Sequence, residues 1–289
     1  MPRSARSEEG ISNTLGFVII SGILLTSVAI VFVIGLPVYN KYVDQSHLQN
    51  MIEGFDLISE NANNVALLKT PYQQSELKLY EGTIALKDTG TLQVECFDAS
   101  GNPVPSTGSG NSVTSDSIPL RIVEYTKGDS NIAYLLGGVF RKDDYSYPVV
   151  KRPEIYTYID KNNNPVLVMP LITLYNNHFS LAGTTLARIS FSTLYYSKKN
   201  QVVDQPVLHT YTGVKTVRIT IENSEYDDAI YRLLTEDEDG TPDDYDLHFD
   251  KDTSSSTPDK LVMTKTYSTP ITVNTVQTTI IVTINKGSV

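Results

Sequence analysis

The stretch that decides the fold is Leu15-Gly-Phe-Val-Ile-Ile-Ser-Gly-Ile-Leu-Leu-Thr-Ser-Val-Ala-Ile-Val-Phe-Val-Ile-Gly-Leu-Pro-Val-Tyr39. It is apolar on every side, and no charged residue lies between Ile11 and Asn40. A helix needs about 20 such residues to cross the hydrocarbon core of a membrane. Inside lipid the backbone must satisfy its own hydrogen bonds, so the segment must be helical there. The sequence therefore predicts a transmembrane helix over about 15–39.

Two alternatives to a permanent anchor are a buried helix of a soluble protein and a cleavable secretory signal. The length and purity of the run disfavour a buried helix. A secretory signal has an apolar region of about 7–15 residues that ends in small residues of the A-x-A type. This run is longer and ends in Gly35-Leu-Pro-Val-Tyr-Asn-Lys41, which has no such site. We therefore expect the segment to stay with the protein.

Basic residues near the two ends of the run give its orientation. Arg3 and Arg6 precede it, and Lys41 follows it. Cytoplasmic flanks carry the excess of Lys and Arg, whereas acidic residues count little. We expect a single-pass protein of the cell membrane, with the N-terminus in the cytoplasm and the remaining bulk outside the cell.

The helical pattern continues beyond Pro37, which removes one backbone hydrogen bond and predicts a kink. Apolar residues recur at steps of three and four, which indicates an amphipathic helix. The helix is predicted to end near Lys69, because a residue before a proline such as Pro71 avoids helical geometry. The prediction is one helix over 11–69 whose second half packs on its own outer domain, and packing against other copies of the chain is the functional interpretation of the same stripe. The apolar stripe consists of Leu48, Met51, Phe55, Ile58, Ala62 and Val65.

The outer part, residues 70–289, is called the head domain here. Short alternating runs such as Leu120–Tyr125 and Val214–Ile221, separated by turn residues, predict strands of an antiparallel, sandwich-like sheet. One helix is predicted over Ser224–Glu236, with Ser224 as its N-cap. Loops are predicted over 98–117 and 236–260. The predicted fold class is α+β, a long N-terminal helix followed by a β-rich head.

Composition excludes several classes of function. The formal charge of −10 argues against nucleic acid as a partner, because such binders concentrate Lys and Arg. The single cysteine, Cys96, rules out a disulfide within one chain and a zinc site built on several thiolates. Its alternating surroundings predict a buried strand residue. No catalytic motif and no metal-ligand spacing of the four histidines is present, so we expect neither an enzyme nor a cofactor.

The acidic loop Thr235–Asp246 raises the question of calcium. Aligning Gly240 with the invariant glycine of an EF-hand places Asp237 and Asp239 at ligand positions. Thr235 then takes the first position, and Asp246 replaces the usual bidentate Glu at the twelfth. A solvated acidic loop is the better interpretation, and calcium binding stays open.

The first residues carry a resemblance to a known family. Met1-Pro-Arg-Ser-Ala-Arg-Ser-Glu-Glu-Gly10 is a short polar leader before the apolar run. Together with Ile11-Ser-Asn-Thr-Leu-Gly-Phe17 it resembles a class III signal sequence, as in type IV pilins and archaellins. Residues Ile34–Pro37, where the apolar run ends, and the Phe55–Ala62 helix are similar to the corresponding parts of archaeal type IV pilin-like surface proteins. The resemblance implies that a prepilin-type peptidase cuts between Gly10 and Ile11.

The same resemblance implies assembly with other pilin-like subunits, either copies of this chain or different ones. Gly22, Thr26 and Ala29 lie on one helical face and would permit close approach of neighbouring helices in the membrane lipid. Bacterial pilins carry a Glu at the fifth mature position, where this chain has Leu15. The large head favours a minor subunit. The alternative is a non-polymerising, single-pass membrane-anchored protein with a binding or envelope role.

Overall fold

A computed structural model describes residues 5–108, 112–142, 148–177, 179–193, 197–198, 201–202, 206–235 and 247–287. The chain forms two compact units, one that ends at Asn50 and one that begins at Met51. The predicted fold class is confirmed, since a long apolar N-terminal helix is followed by a large, mainly antiparallel β-sheet domain.

The N-terminal helix has three parts. Helix α1 covers Ala5–Ile30, a π-helical turn covers Val31–Gly35, and helix α2 covers Leu36–Ala66. The chain remains helical through Pro37, which has no N–H to donate. The π-helical turn ends two residues before Pro37, and prolines and π-helical turns are both known causes of irregularity in a helix. The local irregularity predicted at Pro37 therefore lies in the five residues that precede α2.

Helix α2 ends in a backbone motif that fixes the exit of the chain. The Lys69 amide donates to the Asn64 carbonyl at 2.9 Å, and the Leu68 amide donates to the Val65 carbonyl at 3.1 Å. Leu68 has φ = 57°, the left-handed conformation that this helix ending requires. The helix ends three residues before the predicted position, and the αL residue turns the chain toward the first strand.

Sixteen strands and one short helix follow within the described residues. Their bounds are β1 Tyr72–Lys78, β2 Thr83–Phe97, β3 Thr107–Gly108, β4 Ser115–Lys127, β5 Ser130–Leu135, β6 Gly138–Lys142, β7 Val149–Lys151, β8 Tyr156–Ile159, β9 Pro165–Tyr175, β10 Phe179–Ala182, β11 Leu186–Thr193, β12 Ser197–Lys198, β13 Gln201–Val202, β14 Val207–Glu222, α3 Asp227–Thr235, β15 Asp250–Lys251 and β16 Lys260–Lys286.

Fourteen strands form one sheet, and β12 and β13 form a separate pair. The main order is β1-β11-β16-β14-β2-β4-β5-β6-β7. The 27-residue strand β16 pairs antiparallel with β11, β14 and β15, and parallel with β9. The sheet is therefore mixed at one place, whereas the sequence predicted only antiparallel pairing.

The second half of α2 belongs to the core of the second unit. Of the predicted stripe, Leu48 is half-buried, and the five residues Met51, Phe55, Ile58, Ala62 and Val65 are fully buried. Gly54 permits this packing, because a Cβ atom there would lie 2.2 Å from Cδ2 of Leu77 on β1.

Two polar residues fix α2 to the sheet. The Ser59 hydroxyl and the Asn63 side-chain amide both donate to the Gly137 carbonyl at 2.9 Å, in the turn between β5 and β6. The Tyr134 hydroxyl donates to Oδ1 of Asn63 at 3.2 Å. Because all these side chains are buried, each hydrogen bond satisfies a group that water cannot reach.

Two local predictions need correction. Helix α3 begins at Asp227, three residues later than predicted, because the Ser224 hydroxyl accepts the Tyr226 amide in a turn before the helix. The predicted loop 98–117 contains the short strand β3, and β4 begins inside it at Ser115. Buried contacts of Val104 and Ser106 hold that segment on the sheet.

Candidate functional site

The predicted transmembrane segment presents its apolar side chains to the outside. The large apolar residues from Leu15 to Tyr39 are 49–73% exposed. Among the described residues, one helix is long and apolar enough to cross a membrane, and no part of its most apolar window is buried by the protein. A membrane anchor and a signal sequence both meet that description. Soluble proteins rarely expose an apolar surface of this size, so an apolar environment must cover it.

Two hydroxyl groups within this segment are satisfied by the helix itself. The Thr26 hydroxyl donates to the Gly22 carbonyl at 2.7 Å, and the Ser27 hydroxyl donates to the Ile23 carbonyl at 2.8 Å. An unsatisfied hydroxyl in hydrocarbon costs several kcal/mol, on the order of 2–7. The two bonds therefore make this part of the helix compatible with lipid.

The predicted helix-packing face is present as a geometric feature. Gly22, Thr26 and Ala29 are exposed and lie at positions i, i+4 and i+7 of α1. No atom lies within 4 Å of the place where a Cβ of Gly22 would be. The backbone of α1 is thus accessible to a neighbouring helix at this point, and contact with other subunits stays a prediction.

The predicted cleavage site lies inside helical backbone. Gly10 and Ile11 are both within α1, which begins at Ala5. Cleavage of the bond between them stays a prediction. Of the acidic loop 235–246, only Thr235 belongs to the described residues, where it ends α3 and its hydroxyl donates to the Tyr231 carbonyl. The calcium question therefore lies outside the described residues.

The head domain contains a buried polar cluster that the sequence did not predict. Asp116 on β4 is 1% exposed, and its carboxylate accepts four hydrogen bonds. Oδ1 lies 2.5 Å from Nδ1 of His209 and 2.7 Å from Nε2 of Gln277. Oδ2 accepts the Tyr211 hydroxyl at 2.9 Å and the Thr275 hydroxyl. We call these five residues the Asp116 cluster.

Strand geometry explains how the Asp116 cluster forms. His209 and Tyr211 are two residues apart on β14, and Thr275 and Gln277 are two residues apart on β16, so each pair points to one face of the sheet. The two strands are paired, with His209 opposite Thr275. Thr275 and Gln277 follow Ile271 and Val273 at alternate positions of β16, and this change from apolar to polar residues on one face is the sequence signal that could have indicated a buried acceptor.

The described residues of the Asp116 cluster have the properties of a structural hydrogen-bond network. Burial, together with the nearby charge of Asp116, raises the pKa of the Tyr211 phenol well above its usual value, so this group stays a hydrogen-bond donor. Burial likewise raises the pKa of the nearby Cys96 thiol to about 12, which makes it a poor nucleophile. Among the described residues, no group of three or more His, Cys, Asp or Glu side chains is placed to hold a metal ion.

A second polar contact holds α3 on the sheet. Glu124 on β4 is buried, accepts the Tyr226 hydroxyl at 2.5 Å and lies 2.7 Å from Nζ of Lys87. Partial burial alone would lower the pKa of Lys87, but the hydrogen bond and the charge of Glu124 raise it above its ordinary value of 10.5. This contact orients the helix that leads into the acidic loop.

Two surface cavities are lined in part by residues of β8. One of about 390 Å³ is lined by Arg152, Tyr156 and Leu234, among others, and borders the end of α3. The other, of about 300 Å³, is lined by Tyr158, Ile159 and neighbouring residues of β9 and β16. Among the described residues that line them, neither cavity holds a cluster of catalytic groups.

Comparison with known proteins identifies a family but no function. No curated protein and no solved structure matches the chain. The model of one family of unknown function matches residues 9–279. That range includes the apolar helix, the Asp116 cluster and most of β16. The chain therefore belongs to this family of unknown function, DUF7289.

Proposed function

We propose that the chain is a pilin-like subunit, of the minor kind, of an archaeal type IV pilus-like surface filament. One observation carries the proposal. A single unbroken helix exposes apolar side chains over Leu15–Tyr39, and its continuation over Met51–Ala66 is built into the core that it shares with a β-rich head. A helix of this kind anchors a subunit in lipid before assembly, and neighbouring helices cover the same surface afterwards.

The anchor gives the protein its place in the cell. The helix crosses the cell membrane once, the N-terminus lies in the cytoplasm, and the head domain lies outside the cell. A prepilin-type peptidase removes residues 1–10 by cutting between Gly10 and Ile11. The mature subunit then leaves the membrane only where other pilin-like helices replace the lipid around it, and close approach at Gly22 and Thr26 favours that exchange.

A specific observation favours a second candidate, a membrane-anchored surface protein that never polymerises. The stripe of α2 from Met51 to Val65 is already covered by its own head, so it offers no apolar surface to another copy. In addition, Leu15 stands where bacterial pilins carry a carboxylate that registers neighbouring subunits. In this candidate the apolar helix is a permanent anchor, and the head acts as a binding or envelope module.

The N-terminus of the protein from its native cells tests the proposal. Intact mass and N-terminal peptides should show a start at Ile11, and filaments sheared from the cells should contain the protein. A Gly10→Leu variant should keep residues 1–10 and be lost from the sheared fraction, whereas Gly16→Leu, at a glycine of the same helix where an added Cβ would meet no atom within 4 Å, should still be processed. A start at Met1 or Pro2, with the protein only in detergent-solubilised membranes, would support the permanent anchor.

A further inference from the structure

The turn between β15 and β16 carries the longest unbroken run of hydroxyl residues in the chain, Thr253-Ser-Ser-Ser-Thr257, which is followed by Pro258. Thr253, Thr257 and Pro258 are exposed, and so are two of the three serines between the threonines. The run lies on the surface of the head, and neither the anchor nor the Asp116 cluster uses it. We call residues 253–257 the hydroxyl turn.

Backbone hydrogen bonds hold both ends of the hydroxyl turn. Before it, the Asp252 amide donates to the Val262 carbonyl at 2.9 Å. After it, the Thr257 amide donates to the Lys260 carbonyl at 2.7 Å, and the Lys260 amide donates to the Thr257 carbonyl at 3.1 Å. The hydroxyl turn is therefore a short protrusion whose two ends are fixed to β16.

The three serines stabilise the turn itself. The Ser254 hydroxyl donates to Oδ1 of Asp252 at 2.6 Å, and Oγ of Ser256 accepts the Val262 amide at 3.1 Å. Side-chain hydrogen bonds from Ser254 and Ser255 hold the pKa of the Asp252 carboxyl below its usual value. The oxygen atoms of these serines are thus already engaged in hydrogen bonds of the turn.

The two threonines at the ends of the hydroxyl turn differ from the serines. Thr253 and Thr257 are exposed, and their hydroxyl groups form no hydrogen bond among the described residues. Thr257 precedes Pro258, so its backbone avoids helical geometry, and it forms an isolated β-bridge with Lys260. An exposed, extended residue with an unengaged hydroxyl is accessible to an enzyme that must reach the oxygen atom.

We propose that Thr253 and Thr257 are acceptors of O-linked sugars, which are added outside the cell. In this reaction Oγ1 of the threonine attacks the anomeric carbon of a sugar that is carried on a phosphate. A new carbon–oxygen bond forms, the bond between the anomeric carbon and the phosphate oxygen breaks, and the phosphate carrier leaves with the electron pair. The hydroxyl proton passes to a base of the transferase. Runs of Ser and Thr with Pro are typical of chains that carry such sugars.

The charges beside the hydroxyl turn favour a sugar over a phosphate. Asp252 and Asp259 flank the run, and a phosphate group would add about two negative charges next to these carboxylates. The nearby lysines have other contacts, since Nζ of Lys260 forms an ion pair with Glu222 at 2.9 Å and Nζ of Lys251 lies 5.8 Å from the ring centroid of a tyrosine of α3. A neutral sugar meets no repulsion from the carboxylates.

The sequence also limits where a sugar can be attached. The chain contains no Asn-x-Ser or Asn-x-Thr, the acceptor of N-linked sugars, so a glycan on this chain would use hydroxyl groups. The inference rests on the location of the head outside the cell in the proposed function. It requires neither cleavage of the leader nor assembly of a filament.

Mass spectrometry of tryptic peptides from the full protein, isolated from its native cells, tests the inference. Trypsin cuts after Lys251 and Lys260 and releases Asp252–Lys260, a peptide that contains the whole hydroxyl turn. We expect this peptide to carry the mass of one or more sugar units, and we expect fragmentation to place them on Thr253 and Thr257.

The tryptic peptide Thr70–Lys78 is the internal control. It also begins with a Thr-Pro pair, but Thr70 is half-buried and its Oγ1 accepts the side-chain amide of Gln73 at 3.2 Å. This peptide should appear at its unmodified mass in the same digest.

Variants of the hydroxyl turn make the result specific. Thr253→Val combined with Thr257→Val should remove the sugar from the peptide, because valine keeps the shape of threonine without the hydroxyl. Ser254→Ala should still carry it. A peptide without sugar, a phosphate in its place, or a sugar confined to the serines would each overturn the inference.

The same digest separates this inference from the proposed function, because it also contains the N-terminal peptide. An unmodified hydroxyl turn in a protein that starts at Ile11 would overturn the inference and leave the proposed function intact. A glycosylated turn in a protein that starts at Met1 would support the inference and contradict cleavage of the leader.

Discussion

Replacing Asp116 by Asn should destabilise the head domain more than any surface change. The carboxylate accepts four buried hydrogen bonds, two on each oxygen. In Asp116→Asn the amide oxygen keeps two donors, and the NH₂ group faces the other two. Each buried donor left without an acceptor costs about 1–3 kcal/mol, so the free energy of unfolding should fall by about 2–5 kcal/mol after partial rearrangement.

The fall is large enough to measure as a change in Tm. The second unit, which begins at Met51, has about 240 residues, and in a domain of this size 1 kcal/mol lowers Tm by about 2–4 °C. We therefore expect a decrease of about 5–15 °C. Near-UV circular dichroism of the full chain in detergent micelles is a suitable assay, because the chain has 18 Tyr and no Trp.

Two matched variants define what the result means. Tyr211→Phe removes one of the four donors and should lower Tm by less than Asp116→Asn does. Asp56→Asn breaks only the surface ion pair with Lys151, which should contribute less than about 1 kcal/mol. If Asp116→Asn and Asp56→Asn melted within about 2 °C of each other, the buried carboxylate would not stabilise the fold as its geometry indicates.

Four other outcomes follow from individual residues. Leu68→Gly should raise the free energy of unfolding by about 0.5–1 kcal/mol in urea titrations, because Leu68 has φ = 57°. Gly90→Ala should lower it by at least about 2 kcal/mol, since its φ is 94° and a Cβ would lie 2.0 Å from a backbone oxygen of β14. The pKa of Lys87 is raised in the folded state, so its ion pair with Glu124 adds stability that is fully present below pH 10.5 and is lost as the pH rises through the folded pKa. Lys87→Gln lacks this ion pair, so its Tm should fall less than that of the parent chain when the pH is raised through this range. Cys96 should resist alkylation at neutral pH until the protein unfolds, as mass spectrometry would show.

Features with a short sequence period were predictable. The apolar run of 15–39 and the stripe from Met51 to Val65 follow from helical periodicity, because each residue's neighbours lie three or four positions away. Cys96 was predicted to be a buried strand residue, and it lies in β2 with no exposed surface. In these cases the local pattern alone selects the buried face.

Pairing between distant strands was not predictable. The last clear strand in the sequence was Thr278–Ile284, whereas β16 begins at Lys260. Pro270 interrupts the local pattern, yet β16 continues because the register with β14 shifts between Val214 and Thr216, next to Ile271. The parallel contact with β9 was not predictable from β16, because its paired residues 272–281 mix polar and apolar side chains, whereas parallel strands usually read as continuous apolar runs.

The Asp116 cluster was missed for a related reason. Asp116 lies in a Gly-, Ser- and Pro-rich stretch that predicts a loop, and its partners are 93–161 residues away along the chain. A lone Asp in such a stretch is usually solvated. Only the pairing of β14 with β16 brings His209 and Gln277 to the same carboxylate.

The position of β16 in the chain has a consequence for biosynthesis. It follows every other described strand, and it is the strand on which β9, β11 and β14 meet. Until residues 260–286 have been synthesised, these three strands lack a shared neighbour and expose Val- and Ile-rich edges that aggregate readily. Folding of the head domain should therefore depend on a factor that shields the nascent chain. A chain that stops before Lys260 should be degraded rather than accumulate as a shorter folded domain.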